Sequence, residues 1–197
     1  MNTFWDERFA ADVYVYSTEP NLFYKKHLDK LMPGKILFPA EGEGRNAVYA
    51  AEKGWDVVAF DSSIEGKKKA EKLAVKKGVG IDYQITDYEN VHFKSESFDC
   101  IVLIFAHMNP LKRTDYHRKL LSYLKPGGTL ILEAFSKKQI ENKTGGPRNV
   151  EMLFSAEELR SDFTIFSELI VSETNITLDE GTFHQGKASV IHLAGKK

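Results

Sequence analysis

Residues 36–61, ILFPAEGEGRNAVYAAEKGWDVVAFD, decide the fold. An apolar run leads into a turn with Gly42 and Gly44, which allow a tight turn and a close approach of the backbone to a ligand. A helical pattern follows over residues 45–53, and a second apolar run ends on Asp61. Strand, glycine turn, helix and strand in this order predict a βαβ unit with parallel strands.

Strand and helix signals continue to alternate beyond this unit. The predicted elements are, in chain order, a helix capped by Asn21 and running to about Leu31, a helix begun by Ser62 or Ser63 and running to about Lys77, strands over 81–85 and 98–105, a helix over 111–124, a strand over 129–135 and a short helix from Ser155. The segment between the last two strands, 165–177 and 186–194, is too short for a crossover helix, so these strands are predicted to pair antiparallel. The pattern predicts an α/β fold, a Rossmann-like open parallel sheet with helices on both faces and a C-terminal antiparallel hairpin.

The composition predicts one cytoplasmic domain. We expect an N-terminal helical cap over residues 1–34 and a ligand-binding domain over residues 35–197. A formal net charge of −1 does not favour nucleic acid or an anionic membrane, and no stretch approaches the ~20 apolar residues that span a bilayer. The single cysteine, Cys100, lies in an apolar run and predicts a buried thiol. The six histidines have no metal-ligand spacing, so no metal is expected.

The glycine turn and Asp61 together predict a site for an adenosine-containing cofactor. Asp61 ends the second strand, where a carboxylate can accept hydrogen bonds from both ribose hydroxyls. The turn, continued to Ala47, also fits a loose dinucleotide fingerprint, so the glycines alone leave a nicotinamide cofactor and S-adenosylmethionine open. Glu41 favours S-adenosylmethionine, because a carboxylate in the turn suits a cationic amino-acid ligand better than a pyrophosphate. The lack of a second domain and the C-terminal hairpin favour it too.

The chain also resembles a known family. The order ILFPAEGEGRNAVYAAEKG, VVAFDSS, FDCIVLIFAH and LKPGGTLILEAF is similar to the class I S-adenosylmethionine-dependent methyltransferases. The GEGRNA stretch, the N-terminal WDERF and YVYSTEPN and the late GTFHQGK are most similar to the small tellurite-resistance-type branch. The resemblance covers nearly the whole chain. It implies a seven-stranded sheet whose last strand is antiparallel, with S-adenosylmethionine as cofactor.

The resemblance also implies the cofactor contacts. It assigns Glu41, Gly42 and Gly44 to the methionine moiety, Asp61 and Ser62 to the ribose, Asp87 to the adenine amino group and Phe105 with Ala106 to the sulfonium, and Arg45 and Asn46 lie in the same GEGRNA stretch. Many relatives carry Asp-x-Gly-x-Gly-x-Gly in the first motif, whereas this chain has Phe38 and Ala40 at the first two of those positions. Either Glu41 supplies the missing acid or the affinity is low. Asp87 has a second reading as the cap of a turn.

Two histidines are candidates for acid–base chemistry. His107 follows the fourth strand at its C-terminal end, where open α/β sheets bind ligands, and the alternative is a histidine held by a backbone hydrogen bond. His184 lies in the hairpin loop, which carries either function or only an exposed tip.

Three further residues are candidates for the walls of the site. Arg148 follows Gly145-Gly146-Pro147, a candidate mobile lid, and would orient an anionic acceptor. A solvated connection explains the segment equally well. Tyr14 and Tyr16 are candidate cover residues for the acceptor and the sulfonium, and ordinary packing explains them equally well.

The sequence therefore predicts an S-adenosylmethionine-dependent methyltransferase acting by in-line displacement on a small-molecule acceptor. The branch favours a thiol or a chalcogen oxyanion as acceptor, and the protein is expected to be a monomer or weak homodimer. Two alternatives stay open, an NAD-dependent oxidoreductase and a non-catalytic module that binds an adenosyl ligand.

Overall fold

The computed structural model describes residues 3–197. The helices are α1 Thr3–Phe9, α2 Leu22–Leu28, α3 Arg45–Glu52, α4 Ile64–Lys77, α5 Arg113–Tyr123 and α6 Ala156–Asp162, with 3₁₀ turns at Lys137–Glu141 and Val150–Met152. The strands are β1 Lys35–Pro39, β2 Asp56–Asp61, β3 Asp82–Ile85, β4 Phe98–Ile104, β5 Leu124–Phe135, β6 Glu168–Asp179 and β7 Gln185–Lys196. They form one sheet in the order β3-β2-β1-β4-β5-β7-β6, and among these seven described strands only the β5–β7 and β6–β7 pairs are antiparallel. The predicted fold class is confirmed.

The sheet reverses its direction of growth at β1. This strand pairs with β2 on one side and with β4 on the other, so Ile36 lies opposite both Val57 and Cys100. Its central residues are fully buried, since helices cover both faces of the sheet. In open α/β sheets a ligand binds outside the carboxyl ends of the strands at such a reversal. The fold therefore directs attention to the ends of β1, β2 and β4.

Strand β5 begins earlier than its apolar pattern indicates. The strand was expected at residue 129, but Leu124 already pairs with Phe98, and the regular pairing resumes at Cys100 opposite Thr129. Residues 125–128 form an irregularity within the strand, and Gly127 takes a left-handed backbone conformation there (φ +75°). Pro126 and the glycines interrupt the regular pairing without ending the strand.

Buried polar contacts fasten the N-terminal segment to the sheet domain. Glu43 accepts hydrogen bonds from the backbone N–H groups of Val15 and Tyr16 and pairs with Lys69 on α4. The Lys69 ammonium in turn donates to the carbonyls of Ala11 and Val13. The division at residue 34 stays a prediction, and the first two residues of the expected cap lie outside the described residues. No helix within residues 3–197 has both the length and the apolar character needed to cross a membrane.

Candidate active site

A cavity of about 990 Å³ opens at the carboxyl ends of the central strands. It brings together most of the residues predicted from the sequence: Tyr16, Glu41, Gly42, Arg45, Asn46, Asp61, Ser62, Asp87, Phe105, Ala106, His107, Arg148 and His184 line it. Two predicted residues, Gly44 and Tyr14, are not among the described residues of its wall.

The cavity has two chemically different sides. Its carboxylate side consists of Glu41, Asp61 and Asp87, which follow or end β1, β2 and β3. Its aromatic side consists of the side chains that follow or end β4 and β5 or lie in the N-terminal segment and the β6–β7 loop: Tyr16, Phe105, His107, Phe135 and His184. Because β1 lies between β2 and β4, the two sides flank the reversal point of the sheet.

The glycine turn keeps its left-handed geometry despite the departure from the family motif. Ala40, Gly42 and Gly44 have φ angles of +52°, +60° and +85°. Ala40 therefore adopts a conformation that favours glycine, which non-glycine residues adopt infrequently. Gly44 caps α3 and faces α4, where a Cβ atom would overlap the Cβ of Ala70. The role of Gly44 in the structure is close packing and the turn, and the expected contact with the methionine moiety stays a prediction.

Glu41 caps α3 from inside the cavity. Its Oε1 accepts the backbone N–H groups of Asn46 (2.9 Å) and Ala47 (2.8 Å). Burial raises the pKa of the Glu41 carboxyl to about 7, although these hydrogen bonds and Arg45 oppose the rise. A carboxylate beside a cavity at a raised pKa is suited to a cationic ligand group, which would favour its ionised form.

Asp61 shapes the floor of the carboxylate side. Its two oxygens accept the backbone N–H groups of Gly42 (3.1 Å) and Ser63 (2.9 Å), which joins the end of β2 to the glycine turn. Burial raises the pKa of Asp61 above its usual value. Ser63, not Ser62, caps α4 by accepting from the Gly66 N–H, so Ser62 is left facing the cavity.

Asp87 is exposed and closes a turn, with Oδ1 accepting the backbone N–H groups of Glu89 and Asn90. The turn-cap reading of Asp87 therefore holds, and an adenine contact stays a prediction. The next residue, Tyr88, was not predicted. Its hydroxyl is buried at the cavity wall without a hydrogen-bond partner in the described chain, and its ring stacks on Tyr116. The sequence signal available for Tyr88 was its position as an aromatic residue directly after Asp87, the acid that follows β3.

His184 lies among three aromatic rings. Its ring centre is 4.6 Å from that of Tyr16, 4.5 Å from Phe105 and 5.2 Å from Phe135. Burial lowers the pKa of His184 below its usual value, although the nearby Glu180 carboxylate acts in the opposite direction. His184 is therefore a neutral imidazole at physiological pH. It is buried and lines the cavity, and it does not lie at an exposed loop tip.

His107 is held by the backbone. Its ring nitrogen Nδ1 lies 2.9 Å from the carbonyl oxygen of Met152, which can only accept a hydrogen bond, so Nδ1 carries the hydrogen and Nε2 the lone pair. Nε2 has no hydrogen-bond partner within residues 3–197. Burial between the rings of Phe135 and Phe154 lowers the pKa of His107 to about 4. His107 thus combines both readings offered by the sequence, a backbone-held histidine that lines the cavity.

Arg45 and Glu180 form a buried ion pair behind the aromatic side. The Arg45 Nη2 atom lies 2.7 Å from Oε2 of Glu180, while Nη1 is buried and has no partner in the part of the chain described. Sequence reasoning missed Glu180. The sequence did offer one signal, an acidic residue four positions before His184 in the same loop. In the structure the two side chains lie near each other.

The remaining wall residues divide into two groups. Arg148 is exposed at the cavity rim and donates a hydrogen bond to the Asn142 carbonyl. Gly146 in the same loop packs against Phe135, so the expected lid touches the aromatic side. Tyr14 points away from the cavity, because its hydroxyl donates to the Lys69 carbonyl on α4. Among the described side chains there is no cluster of metal-binding type.

Comparison with known proteins finds similarity to methyltransferases. Residues 36–128 match the family described as a methyltransferase domain. A demethylmenaquinone methyltransferase of Paenarthrobacter aurescens is 32% identical over 109 residues, which cover 55% of this chain and 42% of that protein. The chain thus spans less than half the length of that relative.

Solved structures share the fold at low identity. TehB from Haemophilus influenzae has a TM-score of 0.70 and 18% identity, covering 98% of this chain and 66% of that one. A SAM-dependent methyltransferase from Methanosarcina mazei has a TM-score of 0.67 and 21% identity, covering 89% and 98%. These similarities agree with the resemblance seen in the sequence. The domain match covers just under half of the chain, and the solved structures show that the whole chain has the methyltransferase fold.

Proposed function

We propose that this protein transfers a methyl group from S-adenosylmethionine to a small-molecule acceptor. The observation that carries the proposal is the two-sided cavity, with carboxylates at the ends of β1 and β2 and neutral histidines among aromatic rings beyond β4. When bound, S-adenosylmethionine supplies an electrophilic methyl group and leaves as a neutral thioether. The protein's part is to bind and orient both partners and to take up a proton.

The carboxylate side fits an adenosyl amino acid. Asp61 offers acceptor oxygens for ribose hydroxyls, and the Tyr88 hydroxyl, which has no partner within residues 3–197, offers a buried polar contact nearby. Glu41 suits the ammonium of the amino-acid moiety, and Arg45, whose Nη1 has no partner among the residues described, suits its carboxylate. Each end of a zwitterionic, adenosine-linked ligand thus has a complementary group in the wall.

The aromatic side suits the reacting groups. Aromatic faces stabilise a cation such as a sulfonium, and neutral histidines do not repel it. An acceptor that arrives protonated must lose its proton as the new bond to carbon forms. We propose His184 as the residue that receives it and His107 as a second candidate, because the pKa of His107 is held as low as about 4.

Two similarities bear on the chemical class of the acceptor. The family branch favours a thiol or a chalcogen oxyanion, whereas the curated relative named above acts on demethylmenaquinone. The aromatic lining accommodates an apolar acceptor carrying a soft nucleophile, and Arg148 at the rim is placed to meet an anionic group. We further propose a cytoplasmic enzyme that works as a monomer or weak homodimer, which size-exclusion chromatography with light scattering tests.

Calorimetric titration with S-adenosylmethionine, S-adenosylhomocysteine and NAD tests the cofactor. The wild type is expected to bind both adenosyl ligands with micromolar affinity and not to bind NAD. Asp61→Ala should weaken binding about 10- to 100-fold, as expected for the loss of charged hydrogen bonds. Asp56→Ala, at the opposite end of β2, serves as a control that removes a carboxylate away from the cavity.

Each outcome has a clear meaning. Binding of NAD alone would contradict the proposal and favour hydride chemistry. Tight binding of the adenosyl ligands without methylation of any thiol, oxyanion or quinol acceptor would instead favour a non-catalytic binding module.

A further inference from the structure

We propose that Glu180 is a positioning residue that sets the orientation of Arg45 and His184 together. The inference rests on the proposed function, because it assigns Arg45 to the cofactor and His184 to the acceptor. Glu180 itself does not line the cavity among the residues described there, so its effect is exerted through these two side chains.

The β6–β7 loop folds so that Glu180 and His184 face each other. The Glu180 N–H donates to the His184 carbonyl (2.9 Å), and the His184 N–H donates to the Gly181 carbonyl (3.2 Å). Gly181 takes a left-handed conformation (φ +91°), and a Cβ atom there would overlap the Val15 carbonyl. The loop is thus closed on itself and packed against the N-terminal segment. This local geometry brings two side chains four residues apart to the same side.

Both oxygens of the Glu180 carboxylate are engaged. Oε1 accepts from the amide Nδ2 of Asn21 (2.9 Å), and Oε2 accepts from Arg45 Nη2 (2.7 Å) and lies 3.6 Å from His184 Nδ1. Burial acts to raise the pKa of Glu180, but His184 and Arg45 outweigh it and hold the pKa at about 2. The Glu180 side chain is therefore an ionised carboxylate at neutral pH.

This carboxylate has different consequences for its two neighbours. For Arg45, a residue that lines the cavity, it occupies Nη2 and leaves Nη1 as a buried donor without a partner within the described structure. For His184 it places negative charge beside Nδ1, which favours the proton on Nδ1 and the lone pair on Nε2. The second nitrogen is then the one available to receive a proton from an acceptor.

A purely structural role is the competing explanation, because a buried ion pair is costly to break whatever its function. The molecule contains a matched control for it. Glu133 is also a buried carboxylate that accepts from Asn21 Nδ2 (2.9 Å), and its other oxygen faces His192 at 2.8 Å rather than Arg45 or His184. Replacing Glu133 removes the same charge from the same network at a residue that does not line the cavity among those described. The Glu133 charge also raises the pKa of His184, but by less than Glu180 does, so the comparison is one of degree.

The experiment compares Glu180→Gln with Glu133→Gln in the full chain. We measure the affinity for S-adenosylhomocysteine by calorimetry, the pKa and tautomer of His184 by ¹⁵N NMR, and methyl transfer to the best acceptor as a function of pH. Glu180→Gln should weaken cofactor binding about fivefold and lower kcat about tenfold or more, because misplaced groups are costly in catalysis. It should also lower the His184 pKa and move the acid limb of the kcat profile to lower pH. Glu133→Gln should leave affinity and kcat within about twofold of wild type.

Two results would overturn the proposal. One is an equal effect of both substitutions on every readout, which would show a structural role only. The other is a wild-type His184 whose proton resides on Nε2. This second measurement needs no variant, so it remains decisive if Glu180→Gln does not fold.

The NMR readouts use the protein without ligand. A failure of the proposed function, seen as no binding of either adenosyl ligand by wild type, is therefore distinguishable from a failure of the Glu180 inference.

Discussion

The carboxylate side and the aromatic side of the cavity are built in different ways. Glu41 and Asp61 of the carboxylate side come from residues 36–61, and backbone N–H groups hold both carboxylates in place. The aromatic side combines residues from the N-terminal segment, from the ends of β4 and β5 and from the β6–β7 loop, and ring contacts hold it together.

This difference in construction corresponds to two tasks, binding a cofactor that many proteins share and binding a particular acceptor. A single βαβ unit can present the same set of backbone and carboxylate groups to one cofactor in many proteins. An acceptor site assembled from separate segments can change when any one of them changes, which is how one fold supports several chemistries. We therefore expect substitutions on the carboxylate side to alter cofactor binding and substitutions on the aromatic side to alter turnover.

The largest expected effect lies on the aromatic side. His184→Asn should lower kcat about 10²- to 10⁴-fold, the usual contribution of a group that takes up a proton, while the affinity for S-adenosylhomocysteine changes less than about twofold. Steady-state kinetics and calorimetry measure the two quantities. His107→Asn is the matched control and should lower kcat less. If the two variants were equally slow, or if His184→Asn lost cofactor binding, the division between the sides would be wrong.

The next effect concerns the stability of the glycine turn on the carboxylate side. Gly44→Ala combines a left-handed backbone with an overlap against Ala70, so it should lower the free energy of unfolding by about 2 to 4 kcal/mol. Gly54→Ala has the same φ of +85°, but a Cβ atom there would meet no atom of the described chain within 4 Å, and it should cost only about 1 to 2 kcal/mol. Urea denaturation of both variants gives the difference. Equal losses would show that packing of α3 on α4 does not depend on Gly44.

The two sides also differ in how far the sequence predicts them. The parallel sheet, the hairpin and the carboxylate side follow from patterns within short segments, namely apolar runs, glycine turns and acids at strand ends. Here the geometry depends on neighbours in the chain, which a single sequence displays. The start of β5 was misjudged because Pro126-Gly127-Gly128 resembles a break, although the structure absorbs it as an irregularity opposite β4.

The aromatic side was predicted only in part, because long-range pairing creates it. Phe105, His107 and His184 were proposed separately, but Phe135 and Glu180 were missed. Glu180 reaches Arg45 across 135 positions of the sequence, and no local pattern encodes that approach. Tyr14 and Tyr16 looked equivalent in the sequence, yet one contacts α4 and the other contacts His184. Which of them faces the cavity depends on the anchoring of this segment by Glu43 and Lys69.

A smaller effect is the pH dependence of cofactor binding on the carboxylate side. The pKa of Glu41 is raised to about 7, so the carboxyl is mostly neutral at pH 6 and mostly ionised at pH 8. Only the ionised form attracts an ammonium group, so the dissociation constant for S-adenosylhomocysteine should fall about tenfold between these pH values. In Glu41→Gln, whose amide oxygen can still accept the α3 N–H groups, this dependence should disappear. A tenfold change that survives in the variant would assign it to another group.

The smallest expected effect tests the boundary of the aromatic side. Tyr14→Phe removes one hydrogen bond to the Lys69 carbonyl, which should cost about 0.5 to 1.5 kcal/mol of stability and leave cofactor affinity and kcat within about twofold. Tyr16→Leu removes a ring that contacts His184, so it should instead change the KM for the acceptor or kcat severalfold. Thermal unfolding and steady-state kinetics on the two variants separate these outcomes. If Tyr14→Phe slowed turnover as much as Tyr16→Leu, the N-terminal segment would have to rearrange during the reaction, and the aromatic side would extend beyond the residues that line the cavity.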